Sequence, residues 1–403
     1  MTLIKFFRLC SLVLVGALLI SAGAGNAAAA LPPVTADAAA LFDLTTGTIL
    51  GGKNLEKRVY PASTTKVLTA LVVLEHAGLD ESVSISERAQ NQDGTSLYTR
   101  TGERYRLGDL MYAMLVRSAN DAAVALAEHV AGTVEDFAAL MNEKARTLGA
   151  ADSNFVNPSG LPDQEHYTTA ADMALIFSAA MNNPTIRATT ATRSYTVEIG
   201  VGDPQTLING NELLKRYSGT IGGKTGYTPQ AGHCLLSAAA RQGMQLGVAL
   251  FGSQGNAIWS DAASLLDFGF ENWTTVALVQ RQQTLAALPV KYGTEALLVA
   301  AEKLACTVNQ EDSKQLLAQQ INLSRELRAP IEAGTVVGTA IFYLGGQEIG
   351  RVPVQVAHSV PRLWYTFWEV PTLFVALGAG WRFLHRVNSR RNMLRYEARS
   401  RKG

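Results

Sequence analysis

Cysteine and histidine are scarce in this chain of 403 residues, which holds three of the first and six of the second. None falls in a C-x-x-C or H-E-x-x-H spacing, so the pattern predicts no metal site and no cofactor. Charge of one sign is lacking as well. Lys and Arg number 35 against 34 Asp and Glu, and a net charge of +1 excludes the broad basic footprint that nucleic acid requires. There are no internal repeats and no low-complexity linker, which sets aside solenoids and tethered arrays. Two cysteines, Cys234 and Cys306, lie beyond the first 30 residues, too few for a disulfide framework. Each sits in an apolar segment and is expected to be a buried free thiol, although an exported chain could pair them.

What remains is ordinary globular material, 47% hydrophobic and 17% charged, long enough for two or three domains. Residues 1–30 read as a signal peptide: Lys5 and Arg8 precede an apolar run over residues 12–20, and small residues follow at 26–30. That predicts export, with Cys10 lost on cleavage and a mature chain starting near Ala30 or Leu31. At the other end, residues 363–384 are apolar and aromatic, interrupted by Glu369 and Pro371. A basic tail overlaps and follows them (Arg382, Arg386, Arg390, Arg391, Arg395, Arg399, Arg401, Lys402). Two readings stay open here. The segment could span the membrane, with Trp364, Tyr365, Trp368 and Trp381 at the interfaces and the tail obeying positive-inside. It could instead lie in the membrane plane with arginines on its polar face. The spanning reading is preferred, and either one holds the protein on the outer face of the cytoplasmic membrane.

Between these ends the chain divides at about residue 274. Residues 31–274 run strand, helices, strands. A hairpin pattern near 38–51 is followed by helical patterns over 67–75, over 105–129 with a break at 117–120 and a helix resuming at 121–130, and over 134–147 and 170–181. Strand patterns come next, at 195–199, before Lys224, at 234–241 and at 245–251. This order predicts an α+β fold, a helical cluster on a mainly antiparallel sheet. Residues 275–360 carry short strand patterns at 285–290, 297–308 and 316–321. They close with a hairpin, 340–344 and 349–356, around Gly345-Gly346, and are expected to form a small all-β domain with no catalytic pattern. Residues 361–403 make the anchor helix and its basic tail.

Reactive side chains gather in three short motifs. Pro61-Ala62-Ser63-Thr64-Thr65-Lys66 opens onto an apolar run, so Ser63 is expected in the first turn of a buried helix with Lys66 one turn on, on the same face. A serine hydroxyl needs a base to take its proton, and a lysine can be that base only when neutral. Its pKa must then fall from about 10.4 towards 7, a shift of about 4–5 kcal/mol. A helix N-terminus, burial and a second cation all act in that direction. Ser118-Ala119-Asn120 and Lys224-Thr225-Gly226 follow. Taken singly, Ser118 and Asn120 could cap a helix, and Lys224-Thr225-Gly226 could be a surface turn. The run 218–225 approaches a phosphate-binding loop, but Ser218 stands where its first glycine belongs and strands, not a helix, follow Lys224.

Together the three motifs resemble the S-x-x-K, S-x-N and K-T-G set of the active-site serine penicillin-recognising enzymes. Within that group the chain is similar to the D-alanyl-D-alanine carboxypeptidases among the low-molecular-mass penicillin-binding proteins. The likeness extends to Asp121-Ala122-Ala123, Asn157-Pro158-Ser159-Gly160-Leu161-Pro162, His166-Tyr167 and Tyr227-Thr228. Ala329-Pro330-Ile331 with Gly334 is similar to the family's C-terminal β module. The resemblance implies the β-lactamase/penicillin-binding transpeptidase-like fold. It also implies a serine carboxypeptidase that trims peptidoglycan stem pentapeptides and is inhibited by β-lactam antibiotics, which acylate Ser63. By matching position, Ser63 would be the nucleophile and Lys66 its base, Ser118 the proton relay to the leaving amine, and Asn120 the group that holds substrate amide and Lys66. Lys224, Thr225, Gly226 and Tyr227 would form the substrate-binding strand. Lys224 would help keep Lys66 neutral and, with Thr225, take the terminal carboxylate, and the backbone N–H groups of Ser63 and Tyr227 would make the oxyanion hole. Ala119 stands where many members have glycine, and its methyl is expected to narrow the site slightly.

Two rival readings fit less of the chain. Class A β-lactamases share all three motifs but need a glutamate followed four residues later by asparagine. No glutamate between Asn120 and Lys224 has one; Glu165, for instance, is followed by Thr169. A non-catalytic β-lactam receptor or wall-binding scaffold implies a decayed site, and every expected catalytic side chain is present.

Overall fold

The computed structural model describes residues 31–198, 204–314, 317–367 and 369–400. The expected signal peptide, Trp368, Arg401 and Lys402 lie outside the described residues. The fold is organised around the helix Lys66–His76, in which Val67, Leu68, Ala70, Leu71, Val72 and Val73 are all buried. A helix apolar on every side belongs inside a core, and this one packs against the helices Asn120–Ala131, Val134–Thr147 and Ala170–Asn182. The last two begin where Thr133 and Thr169 accept the backbone N–H of Asp136 and Asp172, each satisfying a donor that the first turn leaves free. The start of the central helix departs from expectation. Ala62–Thr65 form a 3-10 turn and the α-helix begins at Lys66, so Ser63 sits just before the helix rather than in its first α-turn. Ala62 takes a left-handed φ of 48°, and the Thr64 hydroxyl donates to the Pro61 carbonyl at 2.7 Å, which tightens the entry.

The helices lie on a five-stranded antiparallel sheet in the order Ile49–Lys53, Ala38–Asp43, Met244–Ser253, Gly232–Arg241, Thr220–Thr228. Ala38–Asp43 is buried on both faces. Ala38, Ala40 and Phe42 point into the helical cluster, while Ala39 and Leu41 point to the helix Ala257–Asn272 on the other side, as a period of two demands. That second helix was not foreseen in the sequence. Thr220–Thr228 ends the sheet, so one of its sides carries unpaired backbone groups.

From Trp273 the chain builds a second unit. Trp273–Val279 pairs with Leu304–Asn309, beside a five-stranded antiparallel sheet ordered Thr284–Pro289, Glu295–Ala300, Gln347–Val356, Val336–Leu344, Leu317–Leu323. Leu298, Phe342, Val352 and Val354 lie in its separate core. The single strand expected over 297–308 is two strands, because the chain bends at residues 301–303. The two units are joined by Thr307, whose hydroxyl donates to the Asp43 carboxylate; the same carboxylate closes the first hairpin through Thr46. Cys234 and Cys306 are free thiols; Cys234 is buried, but Cys306 is only partly so. A helix, Glu369–Ser400, follows. No helix among the described residues is long and apolar enough to cross a membrane, because arginines recur through this one from Arg382 onward. The preferred spanning reading thus lacks the apolar length it requires.

Candidate active site

Burying a lysine costs free energy unless its charge is paired or its proton is lost. Among the described residues two lysines are buried, Lys66 and Lys224. Burial, and secondly the charge of Lys224, hold the Lys66 amine well below its usual pKa, with Asp121 opposing them. Burial alone brings Lys224 down to about 7.

Lys66 Nζ lies 2.9 Å from Ser63 Oγ, 2.7 Å from Asn120 Oδ1 and 2.6 Å from the Ser159 carbonyl. Asn120 is oriented by its own Nδ2, which donates to the Asp93 carbonyl at 2.6 Å, so its Oδ1 faces the amine. A neutral amine has two N–H donors and one lone pair. The Asn120 and Ser159 oxygens can only accept, and they take both donors. The lone pair is left facing the Ser63 hydroxyl, the arrangement that proton abstraction needs.

The Ser159 carbonyl is delivered by the loop 157–162. Asn157 Oδ1 accepts from the backbone N–H groups of Ser159 and Gly160, an Asx turn that folds the loop on itself. Gly160 has φ 83°, and a Cβ there would lie 1.8 Å from the Ala62 carbonyl oxygen. Only glycine lets the loop close on the turn that carries Ser63.

Ser118 follows a π-helical turn, Ala113–Arg117, and is itself left-handed (φ 71°, ψ 27°). Such a conformation costs a non-glycine residue about 1–3 kcal/mol. Backbone bonds from the two residues that follow hold it: Ala119 N–H to Ala113 carbonyl at 3.0 Å and Asn120 N–H to Thr95 carbonyl at 2.7 Å. Its Oγ accepts from Lys224 Nζ at 2.9 Å, and the same amine donates to the Thr225 carbonyl at 2.7 Å. Ala119 does not narrow the site, contrary to expectation; its methyl is fully buried in the main core. Gly226 brings the edge strand against the nucleophile, since a Cβ on it would lie 2.8 Å from the Ser63 backbone nitrogen. Thr225 is partly buried beside it. Tyr227 is 58% exposed on the same strand, with its ring against His233.

Ser63, Lys66, Asn120, Ser118, Lys224 and Gly226 are thus brought together, and Thr225 and Tyr227 share the strand that carries Lys224 and Gly226. Sequence reading missed the supports. Asp121 accepts from Leu97 N–H, Thr99 N–H, and the Ser96 and Thr99 hydroxyls, fixing the loop above Asn120. The Ser159 and Asp93 carbonyls have no residue-type signal at all. His166, quoted only for its family likeness, reaches the Ser63 turn through Thr65.

Comparison with known proteins gives the same picture. Residues 25–255 match the D-alanyl-D-alanine carboxypeptidase family, and residues 273–362 match the C-terminal domain of penicillin-binding protein 5. The chain is 30% identical to D-alanyl-D-alanine carboxypeptidase DacF of Bacillus subtilis, over 81% of this chain and 86% of the relative. It is also 30% identical to DacC of Escherichia coli, over 82% and 85%. Penicillin-binding protein 5 from Haemophilus influenzae superposes with a TM-score of 0.72 at 28% identity, covering 83% of this chain and 99% of the other. With a buried lysine amine of lowered pKa against a serine hydroxyl and this breadth of likeness, the chain belongs to the D-alanyl-D-alanine carboxypeptidase family of serine peptidases.

Proposed function

We propose that this carboxypeptidase removes the terminal D-alanine of peptidoglycan stem pentapeptides through an acyl-enzyme on Ser63. The observation that carries the proposal is the buried Lys66 amine, held well below its usual pKa, 2.9 Å from Ser63 Oγ, with the Asn120 and Ser159 oxygens as its other partners. Substrate adds as a further strand along the open side of Thr220–Thr228, and its terminal carboxylate meets Lys224 and Thr225. Ser63 Oγ attacks the penultimate D-alanine carbonyl while its proton passes to Lys66. The oxyanion is held by the backbone N–H groups of Ser63 and Tyr227, worth about 3 kcal/mol per donor. Collapse breaks the peptide C–N bond, Ser118 passes a proton to the departing amine, and water then hydrolyses the ester. A β-lactam follows the same first step, but its amine stays tethered and blocks water.

A β-lactamase reading finds no support in the site. Glu165 is exposed and offers its backbone carbonyl to Asn154; among the described residues, no carboxylate is hydrogen-bonded to Ser63 or Lys66. Incubating the protein with a D-Ala-D-Ala peptide and with benzylpenicillin decides the matter. Free D-alanine and a long-lived Ser63 adduct, both lost in Lys66→Ala, are expected. Penicillin turnover without D-alanine release would refute the proposal, as would an adduct with neither.

The protein works, in this reading, on the outer face of the cytoplasmic membrane, exported by residues 1–30 and held there by its last helix lying in the lipid surface. Exposed apolar side chains gather in the first half of this helix (Leu373, Phe374, Val375, Leu377, Trp381) and exposed arginines follow at Arg382, Arg386 and Arg390, a pairing suited to an anionic lipid surface.

A further inference from the structure

His166 is buried beneath the Ser63 turn, 1% exposed, and has a defined tautomer. Its Nδ1 lies 3.2 Å from the Val156 backbone nitrogen, a group that can only donate. Nδ1 is therefore the acceptor, and the ring proton resides on Nε2. From there it points at Thr65 Oγ1, 2.9 Å away, with the edge of the ring packed against Phe155. Val156 stands immediately before the loop that delivers the Ser159 carbonyl to Lys66. Thr65 stands between Ser63 and Lys66 in the turn that presents both. A Cβ on Gly160 would come 2.9 Å from Thr65 Oγ1, so loop and turn touch at the very atom the imidazole holds.

We infer that His166 is a positioning residue for acylation, its neutral imidazole fastening the Ser159 loop to the Ser63–Lys66 turn and thereby keeping water from the Lys66 amine. This rests on the reading of Lys66 as the base of Ser63. Asp163 favours a second proton on the imidazole, and Lys66, whenever it is charged, disfavours one. Burial is the larger influence and lowers the ring's pKa to about 4, so that it stays neutral wherever the enzyme works. Without the clasp the loop swings from the amine, water enters, and Lys66 regains part of its affinity for a proton. Displacements of about 1 Å at a reacting pair cost on the order of 100-fold in rate.

The test is the pH dependence of the second-order rate constant for benzylpenicillin acylation, measured on the full chain and four variants. Wild type is acylated with an acid limb set by Lys66; absence of acylation here sinks the reading of the site itself, and Lys66→Ala checks that independently. His166→Ala is expected to lose on the order of 100-fold and to shift the acid limb to higher pH. His166→Gln, whose side-chain amide can still donate to Thr65, is expected to recover most of the rate. Thr65→Val keeps the volume but removes the acceptor, and is expected to show the same shift even if the alanine variant does not fold. The inference is overturned if Thr65→Val is acylated with the wild-type profile. It is equally overturned if His166→Ala slows with an unmoved acid limb, or if glutamine does no better than alanine.

Discussion

Lys224 Nζ donates to Ser118 Oγ across 2.9 Å, linking the outermost strand of the sheet to a left-handed serine 106 residues away in the chain. The direction of that bond has a chemical meaning. A hydroxyl that accepts from an amine keeps its own proton free to point elsewhere, and the remaining direction is the cleft.

Ser118→Ala should therefore lower kcat on a D-Ala-D-Ala peptide by about 100-fold or more, the usual worth of a positioned general acid. KM should change little, because Lys224 and Thr225 remain to hold the carboxylate. Steady-state kinetics separate the two. A loss confined to KM would remove Ser118 from proton transfer.

The two lysines set opposite limbs of the pH profile. Lys66 must be neutral to accept the Ser63 proton, so kcat/KM falls as acid charges it. Lys224 must be charged to hold a carboxylate, and its pKa of about 7 in the free enzyme makes kcat/KM fall as pH rises through neutrality. The check is an acyl donor without a free carboxylate. Its alkaline limb should disappear while the acid limb stays where it was.

Stability runs against activity at the same residue. Between about 7 and the ordinary lysine value of 10.5, the unfolded chain binds a proton on Lys224 that the folded protein sheds. Folding stability from this group thus rises with pH across that window, and the cost of burial is at its full size below pH 7. Lys224→Met is expected to stabilise the protein at pH 6 by about 1–4 kcal/mol while abolishing carboxylate-dependent turnover. Thermal melts at pH 6 and pH 10 measure both the gain and its decline.

Gly160→Ala probes the closure of the loop on the Ser63 turn. The left-handed backbone alone costs about 1–3 kcal/mol, and contact with the Ala62 carbonyl adds to it. A lower melting temperature and slower penicillin acylation are expected together, since the same shift carries the Ser159 carbonyl away from Lys66. A variant that melts and reacts like wild type would contradict this packing.

For the C-terminal helix, Leu377→Asp should weaken binding to lipid vesicles of any charge. Arg386→Glu should weaken binding only to anionic ones, by about 1 kcal/mol or more. Co-sedimentation with neutral and anionic vesicles distinguishes the two. Equal binding by all forms would remove this helix from membrane attachment.

Much of this architecture could be read from residue types. The buried helix behind Lys66, the capped helices at Val134 and Ala170, and the central strands follow from apolar periodicity and capping side chains. Other parts could not be read. The helix Ala257–Asn272 covers a sheet face whose existence becomes evident only once Leu41, Leu246 and Leu250 are seen to point away from the main core. The 3-10 entry at Ser63 depends on the strained φ of Ala62, which no propensity scale anticipates. In the site, the reactive side chains were legible because their types are chemically distinctive. Their supports were not, because a carbonyl such as that of Ser159 or Asp93 looks the same at every position of every chain.

Burial alone acts on the Lys224 pKa, and among the described residues no carboxylate is paired with its amine. The protein thus leaves an opening in its own electrostatics that the ligand's ionised end completes. At mildly alkaline pH each arriving carboxylate must draw a hydrogen ion from the buffer, and each departing D-alanine must return it.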